Sequence, residues 1–344
     1  MNLVGFRKNF TVLAIFFFIV TLINLLGCNI DIEDAKDAKT YSDFRVAILL
    51  AGSIDDHSWN QAGYEAIKLV EEKLKANISY TENVTAETAV TEARKYAVQG
   101  YDFVILHGGE YVEPAQIVAK EFPRTKFAVN GFYSGNNSNL GAITFRFGEM
   151  GYLTGLIAGM KTKTKHIAYM VGDDFPQYVE EAVFFEKAAK SVDPNIKVSI
   201  RYLHTWIDPN KATQTALELV SQGVDIISIN TDHPGVTAIK EIAKYPQVLI
   251  IGRDQDQHDV APGKVITSVI NDSSNLILRA ATLVQQGRWE GKQYKFGLRE
   301  DIFNFAPFRN HLTPEQIEKF NNISEEIRSG NLDTSSFTNS SSQN

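Results

Sequence analysis

One cysteine, Cys28, serves a chain of 344 residues. That rules out a disulfide framework and any zinc site built on paired cysteines. Histidine is scarce as well, with seven residues scattered and no HExxH pair among them. There is no GxSxG elbow and no Walker A loop, so serine-hydrolase and P-loop ATPase chemistry drop out. Gly172-Asp173-Asp174 follows an apolar run but lacks GxGxxG, and its two acids would repel a pyrophosphate. Basic charge is not in excess. The net charge of −7 argues against a nucleic-acid partner. Asp254-Gln255-Asp256 opens like a calcium loop, but its sixth position is Asp259 where glycine is needed and its twelfth is Val265 instead of Glu. With no catalytic constellation left, the expectation is a protein that is not an enzyme and carries no cofactor and no metal.

The lone cysteine has a different use. Arg7 and Lys8 precede an apolar run from Phe10 to Leu26, which ends Leu25-Leu26-Gly27-Cys28. A basic start, an apolar stretch and a small residue before the cut make a secretory signal. The ending resembles the bacterial lipobox, whose cysteine is acylated and becomes the mature N-terminus, so Cys28 is the expected lipidation site. An uncleaved anchor is the alternative, and both readings put the rest outside the cytoplasm.

What the chain does have is a repeat. Gln99-Gly100-Tyr101-Asp102 is followed by Phe122-Pro123, and Gln222-Gly223-Val224-Asp225 by Tyr245-Pro246; the glycine-to-proline spacing is 23 residues both times and the copies lie 123 residues apart. Around each glycine the pattern reads helix, strand, helix, strand, a right-handed parallel unit. Phe44 to Leu50 and His166 to Val171 are apolar runs, each followed by a loop and a helix pattern (about Gln61–Lys75 and Tyr178–Lys190). The fold class is therefore α/β, with two doubly wound parallel-sheet lobes and a cleft between them. In open α/β sheets ligands bind outside the carboxyl ends of the strands. Those ends fall at Ser53–Asn60, His107–Glu113, Asn130–Tyr133, Gly172–Phe175, Thr205–Asp208, Asn230–His233 and Arg253–Gln257. Asn130 and Arg253 are equivalent under the 123-residue offset.

These segments hold aromatics (Trp59, Trp206), amides (Asn60, Asn130) and carboxylates (Asp55, Glu113, Asp232, Asp254, Asp256). Rings pack on the faces of a flat or cyclic polar ligand while carboxylates accept from its donors. Asp55 and Asp56 serve equally well as caps of the following helix.

Val46-Ala47-Ile48 through Asp55-x-x-Ser58-Trp59-Asn60-Gln61, Phe145-Arg146 with Glu149-x-Gly151-Tyr152-Leu153-x-Gly155, Asp208-Pro209-x-Lys211, and Gly252-x-Asp254-x-Asp256-Gln257 before Ala261-Pro262-x-Lys264 together resemble the basic membrane protein family. These are bacterial receptor lipoproteins for purine nucleosides that feed an ABC importer. The resemblance spans roughly 44–330 and implies a type I periplasmic-binding-protein fold, two lobes joined by three crossovers that close over ligand. It implies that Trp59 and Trp206 sandwich the base, Asn60 and Glu113 meet its edges, and Asp254 or Asp256 takes ribose hydroxyls. Two positions depart from the family pattern: Gly108-Gly109 replaces its Gly-Phe, and Asn271 stands where it has a ribose-binding lysine.

The expected organisation is a lipoprotein signal at 1–27, a flexible tether at 28–43, lobe one at 44–146 plus about 273–298, lobe two at 147–272 plus about 299–330, and a disordered tail at 331–344. The expected partners are a purine nucleoside or base, an ABC permease in the membrane and a lipid anchor, with the protein itself a monomer. A sugar or other heterocycle in the same fold, or a receptor that signals without transport, are the alternatives.

Overall fold

The computed structural model describes residues 43–55 and 59–335. The expected signal segment, Cys28, the expected tether up to residue 42, Asp56 and the chain beyond 335 lie outside the described residues.

β1 (Arg45–Leu50) is apolar after its first residue, as a strand covered on both faces must be. It leads to α1 (Trp59–Leu74), β2 (Asn77–Thr81), α2 (Ala86–Val98), β3 (Phe103–His107), α3 (Val112–Glu121), β4 (Lys126–Asn130) and β5 (Leu140–Phe145). The chain continues through α4 (Phe147–Lys161), β6 (His166–Val171), α5 (Pro176–Val192), β7 (Lys197–Tyr202), α6 (Pro209–Ser221), β8 (Ile226–Asn230), α7 (Asp232–Ile242), β9 (Leu249–Asp254) and β10 (Val265–Asn271). It ends with α8 (Ser273–Gln285), β11 (Gln293–Phe296), β12 (Phe303–Phe305) and α9 (Pro314–Ser329).

The strands make two six-stranded sheets, ordered β11-β5-β4-β3-β1-β2 and β12-β10-β9-β8-β6-β7. All pairs are parallel except β10 with β12. Both sheets are doubly wound and reverse direction at their first strand, between β1 and β3 in one and between β6 and β8 in the other. Leu50 lies opposite His107 at the first switch point, and Val171 opposite Asn230 at the second. Those are the positions where open α/β sheets gather ligand contacts.

The chain crosses between sheets three times: β5 to α4, β10 through α8 to β11, and β11 to β12. α8 packs back on α1, where Gln285 Nε2 donates to the Leu74 carbonyl at 3.3 Å. Two crossovers meet at Glu149. This carboxylate is buried at the start of α4 and accepts from the Leu298 amide at 2.8 Å. Arg146 Nε stands 3.7 Å away, and burial lifts the Glu149 pKa to about 7. Glu149 in the sequence motif is thus a junction residue between two crossing segments.

Apart from Glu149 near its start, α4 is largely apolar all round and buried from Phe147 to Gly159, which suits a helix in the middle of the molecule. A methyl at Gly151 would overlap the Glu181 carbonyl, and one at Gly155 the Phe185 carbonyl. The small residues let α5 lie directly on α4, and so fix the height of Glu181. Residues 331–335, expected as the start of the tail, turn back onto this region: Leu332 N donates to Glu326 O at 3.0 Å, and Thr334 is buried with its carbonyl against Gly148.

Candidate strand-end binding site

Trp59 is the first residue of α1 and keeps 40% of its surface exposed. Its indole stacks on His107, centroids 4.1 Å apart and planes 16° from parallel. Trp59 Nε1 donates to the His107 carbonyl at 3.1 Å, and His107 Nε2 lies 3.0 Å from the Trp59 carbonyl. A carbonyl only accepts, so the imidazole proton is on Nε2 and Nδ1 is an acceptor. Asn130 Nδ2 supplies the matching donor at 3.1 Å. A methyl at Gly63 would come within 2.8 Å of the imidazole, which gives that glycine its reason. Asn130, expected to touch ligand, is buried and holds His107, the ring beneath Trp59. Asn60 Oδ1 accepts from the Gly52 amide at 3.0 Å, closing the loop after β1. Asp55 is exposed in that loop, its amide donating to Ser53 Oγ at 3.2 Å. Glu113 is exposed in the first turn of α3.

The second sheet builds a different wall. Trp206 sits after β7, so close to Gly172 that a methyl there would overlap the indole. Its ring lies 5.1 Å from that of Tyr178, which in turn meets Phe147 edge-on at 5.2 Å. Asp208, two residues further on, caps α6 by accepting from the Asn210 and Lys211 amides at 3.0 Å, with Pro209 at the first helical position. Its motif is structural.

Beneath the aromatics lies a buried polar network. Arg253 Nη1 donates to Glu181 Oε1 at 2.6 Å, while Tyr169 Oη at 2.8 Å and Asn230 Nδ2 at 3.2 Å donate to Glu181 Oε2. Arg253 and Glu181 are almost fully buried, and the guanidinium lies 5.5 Å over the Phe147 ring. Burial pushes Glu181 up and the Arg253 cation pulls it down.

Asp254 and Asp232 stand in front of this network, each in a left-handed backbone at φ 69° and 49°. Such conformations suit Asp better than most residues. Asp254 Oδ1 accepts from Asn271 Nδ2 at 2.8 Å and lies 3.9 Å from Arg253 Nε. Its side chain is 48% accessible, yet enough protein surrounds it that lost hydration raises its pKa. Asp232 behaves alike: lost hydration first, then the Asp254 charge, lift it to about 6. Asp256 is placed elsewhere. It pairs with Arg309 through both guanidinium Nη atoms and accepts from the His258 amide at 3.1 Å, and the Arg309 hydrogen bond lowers its pKa.

The structure therefore gathers Trp59 and Asn130 around His107, and Asp232 and Asp254 around Arg253. It leaves Asp55 and Glu113 exposed and ties Asp256 to Arg309. His107, Tyr178, Glu181 and Arg309 were not among the expected site residues. Glu180-Glu181 in the middle of an otherwise apolar helix stretch was the one sequence signal for the network.

A family described as ABC transporter substrate-binding protein PnrA-like (Bmp) matches residues 44–335. A purine-binding protein of Brucella abortus is 30% identical over 294 residues, covering 84% of this chain and 82% of that protein. Among solved structures, a transcriptional activator of the comK gene from Bacillus halodurans superposes with a TM-score of 0.72 at 20% identity, over 84% of this chain and 99% of that one. An ABC transporter solute-binding protein from Aeropyrum pernix does so with a TM-score of 0.68 at 20% identity, over 84% and 92%. At these identities the structures show the fold, the two-lobed type I architecture of solute-binding proteins.

Proposed function

Because the chain belongs to the PnrA-like substrate-binding family of ABC transporters, we propose that it captures a purine nucleoside or purine base outside the cytoplasm and presents it to an ABC permease, tethered by a lipid on Cys28. The family is described as one of substrate-binding proteins, which is the role taken here. The observation that carries the ligand class is Trp59: a half-exposed indole at a switch point, stacked on a second ring and hydrogen-bonded at its edge. An aromatic face held this rigidly is suited to a planar heterocycle. Trp206 supplies the second ring, Asn60 and Glu113 the base-edge contacts, and Asp254 the ribose contact. Asp256, neutralised by Arg309, is the weaker ribose candidate of the two. Ligand touching both walls favours the closed arrangement of the lobes, which is what a permease reads.

The test is a thermal-shift panel of guanosine, inosine and adenosine against guanine, hypoxanthine and adenine. Tighter binding to the native state raises the midpoint further, so the nucleosides should give the larger shifts. Equal shifts from the free bases would remove ribose recognition by Asp254; no shift from any purine would move the ligand to another class, such as a sugar. Fatty-acid labelling of the full chain, lost in Cys28→Ala, checks the anchor.

A further inference from the structure

Glu180 and Glu181 are neighbours on α5, and they serve different sheets. Adjacent residues on a helix point about 100° apart. Glu181 turns to the second sheet, where Arg253 and Asn230 hold it. Glu180 turns the other way and accepts from Lys295 Nζ at 2.7 Å. Lys295 belongs to β11, in the first sheet, and lies opposite Thr144 of β5. The ion pair therefore joins an edge strand of one lobe to a helix of the other, 115 positions apart in sequence.

Its surroundings make it a fixed link. Glu180 is 8% exposed and Lys295 24%, so water and salt screen the pair far less than one on the surface. Phe296, the next residue, accepts from the Arg146 amide at 2.8 Å, where the chain first leaves the first sheet. Leu298 follows two positions later and donates to Glu149. α5 in turn cannot slide on α4, because the backbone carbonyls of Glu181 and Phe185 rest against Gly151 and Gly155. Hinge motion between lobes is absorbed by the crossing segments. Lys295 and Glu180 stand on opposite sides of those segments.

We propose that Lys295 and Glu180 form an interlobe latch, a pair of positioning residues that sets the angle between the lobes and through it the affinity for ligand. The effect on affinity rests on the reading of the protein as one whose lobes close over a purine; the effect on lobe angle does not. Neither residue belongs to the walls built around Trp59 and Trp206. The latch acts instead on populations: a ligand that needs one lobe angle binds in proportion to the fraction of molecules that hold it.

The test is the distance between spin labels on the two lobes, at Val98→Cys of α2 and Glu218→Cys of α6, both exposed, in the full chain carrying Cys28→Ala. Double electron–electron resonance reads that distance with and without inosine. Lys295→Met and Glu180→Gln should each displace or broaden the ligand-free distribution, and the double variant should go no further than either alone, because one interaction is lost in all three. Lys295→Arg should restore the native distribution. Glu186→Gln, which breaks an exposed pair with Lys190 inside α5, should leave it unchanged. Glu180→Gln, equal in shape, carries the test should Lys295→Met fail to fold. Inosine affinity should change by about fivefold or more in Lys295→Met, rising where the labels approach the inosine-bound distance and falling where they move away from it. Native distances in the single variants, or effects that add in the double variant, overturn the latch. Displaced distances with unchanged inosine affinity overturn its link to binding. Displaced distances in a protein whose native form binds no purine uphold the latch and overturn the purine reading.

Discussion

The ends of β3 and β4 in one sheet and of β8 and β9 in the other are the same place in a repeated fold, and they do opposite things. His107 corresponds to Asn230 and Asn130 to Arg253 under the 123-residue offset. In the first pair an amide holds an imidazole, and the product is a hard surface under Trp59. In the second, both side chains converge on Glu181 from a neighbouring helix, and the product is a charged recess. Topology assigned the positions; the side chains divided the labour, with shape on one wall and charge on the other.

That division can be broken most severely at Arg253. Arg253→Met strands the Glu181 charge in the interior and should lower stability by about 3–5 kcal/mol, whereas Asn130→Ala, losing one neutral hydrogen bond, should lower it by about 1–2 kcal/mol. Urea denaturation midpoints decide, and similar losses at both sites would erase the contrast. A Glu181→Leu change added to Arg253→Met should recover much of the loss, because the cost lies in the unpaired charge. The smaller effect concerns the rings. Removing one stacking surface should weaken purine binding by about 1–3 kcal/mol, with Trp59→Ala at the upper end, because the His107 ring and the Nε1 hydrogen bond hold that indole in place before ligand arrives. Trp206→Ala belongs at the lower end, since that indole rests on Gly172 and a tilted Tyr178. Calorimetry with the best nucleoside ranks the two; the reverse ranking would show that the prearranged wall is not the stronger one.

The sheets were legible because parallel strands buried on both faces write themselves as apolar runs, and the sequence pattern placed their ends to within three residues. The helix expected over Gln61–Lys75 runs from Trp59 to Leu74, and that shift makes Trp59 a helix-start residue. The candidate site was legible as a set of loops, not as a set of contacts. Asn130 and Asp256 sit at the expected strand ends, yet one is committed to His107 and the other to Arg309, 53 residues further along. No local pattern announces a partner at that distance. Glu181 was hidden for another reason: its role depends on how closely α5 lies on α4, which Gly151 and Gly155 decide from a different helix.

Thr334, buried against Gly148, ties the end of the described chain to the first residues of α4, beside the passage from one sheet to the other. A dye or spin label at Ser335 would report whether that contact holds, one residue from Phe147 and the ring cluster it shares with Tyr178. The end of the described chain thus reaches the same helix start that the second wall rests on.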